Sequence, residues 1–114
     1  MVQRLEIVRG TTNTFQISVT DAKGAAYNLG SGEKIVFGVK RRPEDKELLI
    51  VKTAEILYEG LYSVRLEPED TMELDFGRYS YDVGLDNGVD FFNVIEPSPF
   101  MIVANITSRG CADD

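Results

Sequence analysis

Hydrophobic and polar residues alternate with a period of two along much of this chain. The segment 14–20 places Phe15, Ile17 and Val19 on one face of an extended backbone. The segment 78–86 repeats the pattern with large residues at every second position, namely Tyr79, Tyr81, Val83 and Leu85. A helical period of 3.6 would scatter both sets around a cylinder, so the pattern predicts two β-strands.

Other segments share this alternation or a β-branched and aromatic composition, and we predict strands at 3–8, 25–29, 34–40, 48–53, 55–58, 61–67, 89–96 and 100–106. Turn-forming residues separate them, including a Pro-Ser-Pro sequence at 97–99. One short helical turn is predicted over 68–74, where Pro68 suits an early position and Asp70 can accept a backbone hydrogen bond. The fold class is therefore all-β: an antiparallel immunoglobulin-like β-sandwich of about 8–9 strands.

A tyrosine corner is predicted where this helical turn meets the next strand. The spacing Leu74-x-x-Gly77-x-Tyr79 is the one that locks a strand entry in many immunoglobulin-like sandwiches. We expect the Tyr79 hydroxyl to bond to backbone near Leu74, with its ring at the edge of the core. The feature predicts a fold and supplies no reactive group.

The sequence Asp86-Asn87-Gly88 predicts a hairpin, and two registers compete for it. A two-residue loop would place Asp90 and Glu96 on the core face and expel Val89, Phe91 and Ile95. A three-residue loop would pair Leu85 with Val89 and bury them, so burial favours the second register. In that register Phe92 and Val94 point outward and form a candidate interface, although such residues are more often covered by a loop or tolerated singly.

The 114 residues indicate one domain, predicted over 1–107, followed by a flexible tail over 108–114. The net charge of −7 disfavours nucleic acid and anionic lipid as partners. The single cysteine, Cys111, cannot form an internal disulfide, and its role stays open. No apolar segment has the length of a signal peptide core or a membrane span, so we expect synthesis in a cytoplasm and no membrane contact.

The chain has no histidine, which excludes the usual Ser-His-Asp and Cys-His nucleophile pairs and His-ligated zinc. No phosphate-binding glycine motif is present either. Carboxylates remain, at Glu67, Glu69 and Asp70 and at Asp82, Asp86 and Asp90. Calcium binding or glycoside hydrolysis is conceivable for them, but capping, turn formation and solvation explain them better. We therefore expect no catalytic residue, no cofactor and no metal, and hence no enzyme.

Several short motifs together carry a resemblance to a known family. They are Val8-Arg9-Gly10-Thr-x-x-Thr-Phe15, Asp21-x-x-Gly24, Ile35-x-Phe37-x-Val39-Lys40, and Glu69-Asp70-Thr71-x-x-Leu74-x-x-Gly77-x-Tyr79-x-Tyr81-Asp82. The set resembles small tail-associated proteins of bacteriophages and prophages, in particular the N-terminal domain of baseplate upper proteins. Thr11 departs from the acidic residue that this family commonly has after Arg-Gly.

The resemblance implies a non-enzymatic structural component of a phage tail or baseplate, made in the bacterial host cytoplasm and then part of the virion. Its implied partners are other phage structural proteins, with a homo-oligomer as a further option. Sheet edges and segments such as Leu48–Val51, which is apolar on both faces, would carry the contacts. Two alternatives stay open: a carbohydrate-binding or adhesin-like sandwich, and a capsid decoration or head-completion protein.

Overall fold

The computed structural model describes residues 4–104, which form eight strands and one short helix. The elements follow the chain as β1 (Leu5–Val8), β2 (Asn13–Ser18), β3 (Lys34–Lys40), β4 (Ile50–Thr53), β5 (Glu55–Tyr58), β6 (Leu61–Leu66), α1 (Pro68–Met72), β7 (Gly77–Asp86) and β8 (Phe91–Val103). The predicted all-β fold is confirmed, and α1 lies within the predicted helical turn.

The strands form two sheets packed face to face. The five-stranded sheet has the order β1-β8-β7-β3-β4, and the three-stranded sheet has the order β2-β6-β5. One pair departs from the antiparallel prediction, because β1 runs parallel to β8 from Leu5 opposite Phe100 to Val8 opposite Val103. The turn at Gly10, with φ of 76°, then carries the chain into the other sheet as β2.

The core lies between the sheets and is built from every second residue of the strands. Tyr79, Tyr81 and Val83 of β7 are buried, as the alternation predicts. Phe37 of β3 packs edge-on against Phe15 of the opposite sheet, with ring centroids 5.1 Å apart. Ring-bearing side chains thus connect the two layers.

Two of the strand predictions are wrong. Segment 25–29 forms only one bridge, Thr20 to Ala26, because its apolar residues pack on the core from a loop instead of pairing with a strand. Segments 89–96 and 100–106 are not separated by a turn at 97–99, since β8 continues through both prolines. Within the described residues, β1 pairs with β8 from Phe100 onward, so neither proline lies in this paired stretch.

Both hairpin registers considered above are also wrong. Asp86 pairs with Phe91, so the loop has four residues, Asn87 to Asp90. The Asn87 Oδ1 atom accepts hydrogen bonds from the Val89 and Asp90 amides at 2.8 and 2.7 Å, which stabilises this longer turn. Two irregularities then shift the pairing of β7 with β8, between Tyr81 and Val83 and between Val83 and Gly84. As a result Ile95 lies opposite Val83 and packs against the core, although neither predicted register pairs these two residues. The tail at 108–114 and Cys111 lie outside the described residues.

Candidate interaction surface

The tyrosine corner joins α1 to the start of β7. The Tyr79 hydroxyl donates a hydrogen bond of 2.8 Å to the carbonyl of Asp75, the residue after Leu74. Leu74 packs against the core, and its amide donates to the Thr71 carbonyl at 3.0 Å. Gly77 has φ of 130°, a backbone conformation that favours glycine. The corner residues Leu74, Gly77 and Tyr79 thus have structural partners, which fits an anchoring role.

The same corner is tied to the turn between β1 and β2. Buried Thr71 accepts a hydrogen bond of 2.8 Å from the Gly10 amide through its Oγ1 atom. The Arg9 guanidinium donates to the Leu74 carbonyl at 3.2 Å and lies 4.2 Å from the Phe76 ring centroid. Residues from two distant parts of the sequence therefore hold this end of the sandwich rigid.

We expect Tyr79→Phe to lower the free energy of unfolding by about 1–2 kcal/mol, because the Asp75 carbonyl loses its partner in a partly buried setting. Urea denaturation of the purified protein measures this directly. Tyr58→Phe is the matched control, because its hydroxyl sits on a side chain that is 69% exposed. A Tyr79→Phe protein as stable as the wild type would contradict the corner.

The candidate interface residues Phe92 and Val94 lie at the open end of the sandwich. Phe92 is opposite Leu85, on the side of β8 that continues the core face, yet it remains 54% exposed. Val94 is half-buried against the core. The outward aromatic residue at this end is instead Phe91, whose ring covers Gly84 so closely that a Cβ there would clash. Both Phe92 and Val94 line an open cavity of about 400 Å³ with Val19 and Tyr27.

A more extensive apolar surface lies along one edge of the sandwich, which we call the β4–β5 edge. It consists of strands β4 and β5 with Leu48. Among the described strands, each has a neighbour on one side only, β3 and β6 respectively. Of the ten exposed large hydrophobic side chains within residues 4–104, five belong to this edge: Leu48, Val51, Ile56, Leu57 and Tyr58. The apolar Leu48–Val51 segment precedes β5 closely in the sequence, and the structure places β4 and β5 at the ends of their two sheets.

The β4–β5 edge has two features that limit pairing with other chains, because each strand has only four residues and β5 is irregular between Ile56 and Tyr58, but it has no free lysine. Edge strands are commonly blunted by an exposed lysine, proline or inward-pointing charge. The lysine of this edge, Lys52, instead places its ammonium 2.8 Å from the Asp70 carboxylate of α1. Its charge is thereby compensated within the molecule. The edge is left with unpaired backbone groups and apolar side chains, which favours contact with another protein.

The carboxylates at 67–70 and 82–90 include three that accept local hydrogen bonds. Asp70 accepts a hydrogen bond from the Glu67 amide, and Asp86 from the Gly88 amide. Asp82 accepts one from the Asn93 side chain at 3.2 Å. Across the part of the chain that the structure describes, no group of three or more acidic or cysteine side chains could hold a metal ion. Asp70, Asp82 and Asp86 therefore have local structural partners.

One strong polar contact lies in the loop between β2 and β3. The Glu33 carboxylate accepts hydrogen bonds from the Gly30 amide at 2.6 Å and from the Tyr27 hydroxyl at 2.8 Å. The bond from Gly30, followed by that from Tyr27, lowers the pKa of Glu33, and the same contact raises the pKa of Tyr27. The Tyr27 carbonyl also accepts a bond from buried Tyr62. The contact orders the loop.

No helix within residues 4–104 combines the length and the apolar character needed to cross a membrane.

Comparison with known proteins gives a fold and no family. No family model matches the chain, and no curated protein matches it. Among solved structures, the chain is similar to the endo-β-1,4-mannanase from Thermotoga petrophila, with a TM-score of 0.55 and 17% identity. The match covers 89% of this chain and 18% of the mannanase chain. At this identity the likeness shows a shared sandwich fold and nothing about activity.

Proposed function

We propose that this protein is a non-enzymatic structural module that works through protein–protein contacts in a bacteriophage particle, at the tail or baseplate. The observation that supports it most is the β4–β5 edge, where backbone groups and apolar side chains face outward together. Protein interfaces of this kind use an extended edge strand for main-chain hydrogen bonds and alternate side chains for specificity. The phage context is supported by the sequence motifs that resemble baseplate proteins.

The arrangement of the rest of the molecule suits such a role. The corner at Tyr79 and the bond between Thr71 and Gly10 fix the sandwich at one end. A rigid scaffold presents its edge in one geometry, which lowers the entropy lost on assembly. The partners would be co-encoded tail proteins or a second copy of this chain. A position in the head would use the same surface, and the identity of the co-encoded partner distinguishes the two.

The β4–β5 edge can be tested with a charge placed on its most suitable apolar residue. Ile56 is 58% exposed on β5, and a lysine there makes pairing with another chain unfavourable. We expect Ile56→Lys to weaken binding to a co-encoded tail protein, or self-association, by about tenfold or more. Light scattering after size-exclusion chromatography and calorimetry with purified tail proteins measure both.

Val89→Lys is the matched control, because Val89 is 89% exposed in the β7–β8 loop, outside the β4–β5 edge. It adds the same charge and should leave assembly unchanged. A wild-type protein that stays monomeric at high concentration and binds no co-encoded tail protein would refute the proposal. Equal losses for both lysine variants would show that net charge acts instead of the edge.

Carbohydrate binding is a second candidate, favoured by the exposed aromatic residues Tyr58, Phe91 and Phe92. Sugars stack on such rings, and the structure similar to this chain is part of a mannanase. Titration with β-mannan oligosaccharides tests it. Binding that disappears in Tyr58→Ala or Phe91→Ala would place this candidate ahead of the assembly role.

A further inference from the structure

A cleft lined by three arginines lies beside the tyrosine corner. We call it the arginine cleft, and define it by Arg41, Arg42 and Arg78 together with Pro43, Pro97 and Pro99. Its volume is about 390 Å³, and among residues 4–104 no carboxylate lines it. The loop after β3 contributes the first two arginines, whereas Arg78 comes from β7 and the prolines at 97 and 99 from β8. Arg41 and Arg42 are neighbours in sequence, and the fold brings Arg78 to them.

Two of the arginines form no ion pair within the part of the chain that the structure describes. The Arg41 guanidinium lies 4.6 Å from the Tyr79 ring centroid, and neither it nor Arg78 forms an ion pair with any residue between 4 and 104. Arg42 is 3.6 Å from Asp45 and 3.9 Å from Glu44, at the long end of the ion-pair range on an exposed side chain. Stacking on Tyr79 orients Arg41 and leaves its N–H donors available.

This concentration of positive charge contrasts with the rest of the molecule. The protein has 12 basic and 19 acidic residues, yet three of those cations share one cleft. Like charges held together repel, so an anion in the cleft relieves that repulsion. Guanidinium groups bind carboxylates through paired hydrogen bonds that are stronger than those between neutral groups. The cleft therefore has the chemistry of a carboxylate-binding site.

The walls of the cleft favour a peptide over a free anion. Three prolines form rigid apolar surface beside the guanidinium groups. Pro43 and Pro97 also line a smaller adjoining cavity of about 60 Å³ that includes Leu48, a side chain that is 51% exposed, together with the oppositely charged Lys40 and Asp82. A small anion would use only the charges. An acidic segment that also carries an apolar residue would contact both cavities.

We propose that the arginine cleft binds an acidic peptide segment of a partner protein, with carboxylates on Arg41 and Arg78 and a neighbouring apolar side chain on Pro43 and Leu48. The recognition does not depend on the phage assignment, because it follows from the charges and walls of the cleft. Nucleic acid also carries anions, but the net charge of −7 disfavours a long polyanion more than a short peptide.

The probe is a fluorescent pentapeptide, Asp-Glu-Leu-Asp-Glu with blocked ends, followed by fluorescence anisotropy. We expect saturable binding that weakens as salt is raised, and about tenfold weaker binding for the Arg41→Gln/Arg78→Gln double variant. Arg78→Lys should retain part of the affinity, since a point charge replaces a two-pronged donor. The matched control is Arg4→Gln/Arg65→Gln, which removes two exposed arginines that have local ion pairs elsewhere.

Three outcomes would overturn the proposal. One is equal affinity for the amide peptide Asn-Gln-Leu-Asn-Gln, and another is an equal loss in the control variant. The third is tighter binding of a ten-nucleotide oligothymidylate than of the acidic peptide. Amide chemical shifts of the wild-type protein provide a measurement that needs no variant: the acidic peptide should shift Arg41, Arg42, Arg78 and Ser98, and shifts confined to other residues would refute the site.

Discussion

Phe37→Ala is expected to lower the free energy of unfolding by about 3–5 kcal/mol, because it removes a fully buried ring that connects both sheets. The Phe37 ring centroid lies 5.1 Å from that of Phe15 in β2, 5.5 Å from Tyr81 in β7 and 6.1 Å from Phe100 in β8. An alanine would leave a cavity in the centre of the core that these rings cannot fill by small shifts. A loss of this size is a large part of the total stability of a small domain, which is roughly 5–15 kcal/mol.

Urea denaturation followed by circular dichroism measures this loss. Phe92→Ala removes the same side chain from a position that is 54% exposed, so its cost should be roughly 1 kcal/mol or less. If Phe37→Ala is too unstable to purify, Phe37→Leu should show a smaller loss in the same direction. Equal losses for Phe37→Ala and Phe92→Ala would show that the two-sheet core is packed differently.

Gly60→Ala is the second change with a large expected effect. Gly60 has φ of 69°, and a Cβ added to it would lie 2.7 Å from the Ala26 Cβ and 3.0 Å from the Val19 carbonyl oxygen. The backbone conformation costs about 1–2 kcal/mol for a residue with a Cβ, and the overpacking about 1–3 kcal/mol more. We expect a total loss of about 2–5 kcal/mol, because the carbonyl belongs to backbone that also bonds Tyr27.

The chain contains a control that separates the two contributions. Gly24 has φ of 86°, but a Cβ there would meet no atom within 4 Å. Gly24→Ala should therefore show only the backbone contribution, about 1–2 kcal/mol. Thermal or urea denaturation gives the free energy of unfolding of both variants. The loss for Gly60→Ala minus the loss for Gly24→Ala is the contribution of overpacking. Equal losses would mean that the segment around Ala26 moves aside freely and does not fix the β5–β6 turn.

The two proposed contact surfaces predict different behaviour of the same protein. Contacts at the β4–β5 edge rest on apolar burial and main-chain pairing, so they should be insensitive to salt. Binding in the arginine cleft rests on charge and should weaken as ionic strength rises. Leu48 belongs to the edge and also lines the cavity beside the cleft. A partner that uses both surfaces would therefore show a partial dependence on salt.

The sequence alone determined the all-β fold class and the tyrosine corner where α1 meets β7. Alternation in β2 and β7 predicted which residues are buried, because period-two patterns survive in any sheet that has one face on a core. The corner spacing placed the Tyr79 hydroxyl within one residue of its observed acceptor, Asp75. Such features depend on residues close in the chain, so local physics is enough to predict them.

Tertiary structure decided what local patterns could not. The prediction of the hairpin register was wrong because irregularities between β7 and β8 change which face of the sheet each residue occupies. Strict alternation assumes that no such irregularity occurs. The β4–β5 edge and the arginine cleft likewise arise from strand order, since no pattern along the chain shows which strand lacks a neighbour or where β3, β7 and β8 meet. Strand order leaves the contiguous segment 48–58 at the ends of both sheets, and it brings Arg78 beside the loop that holds Arg41 and Arg42.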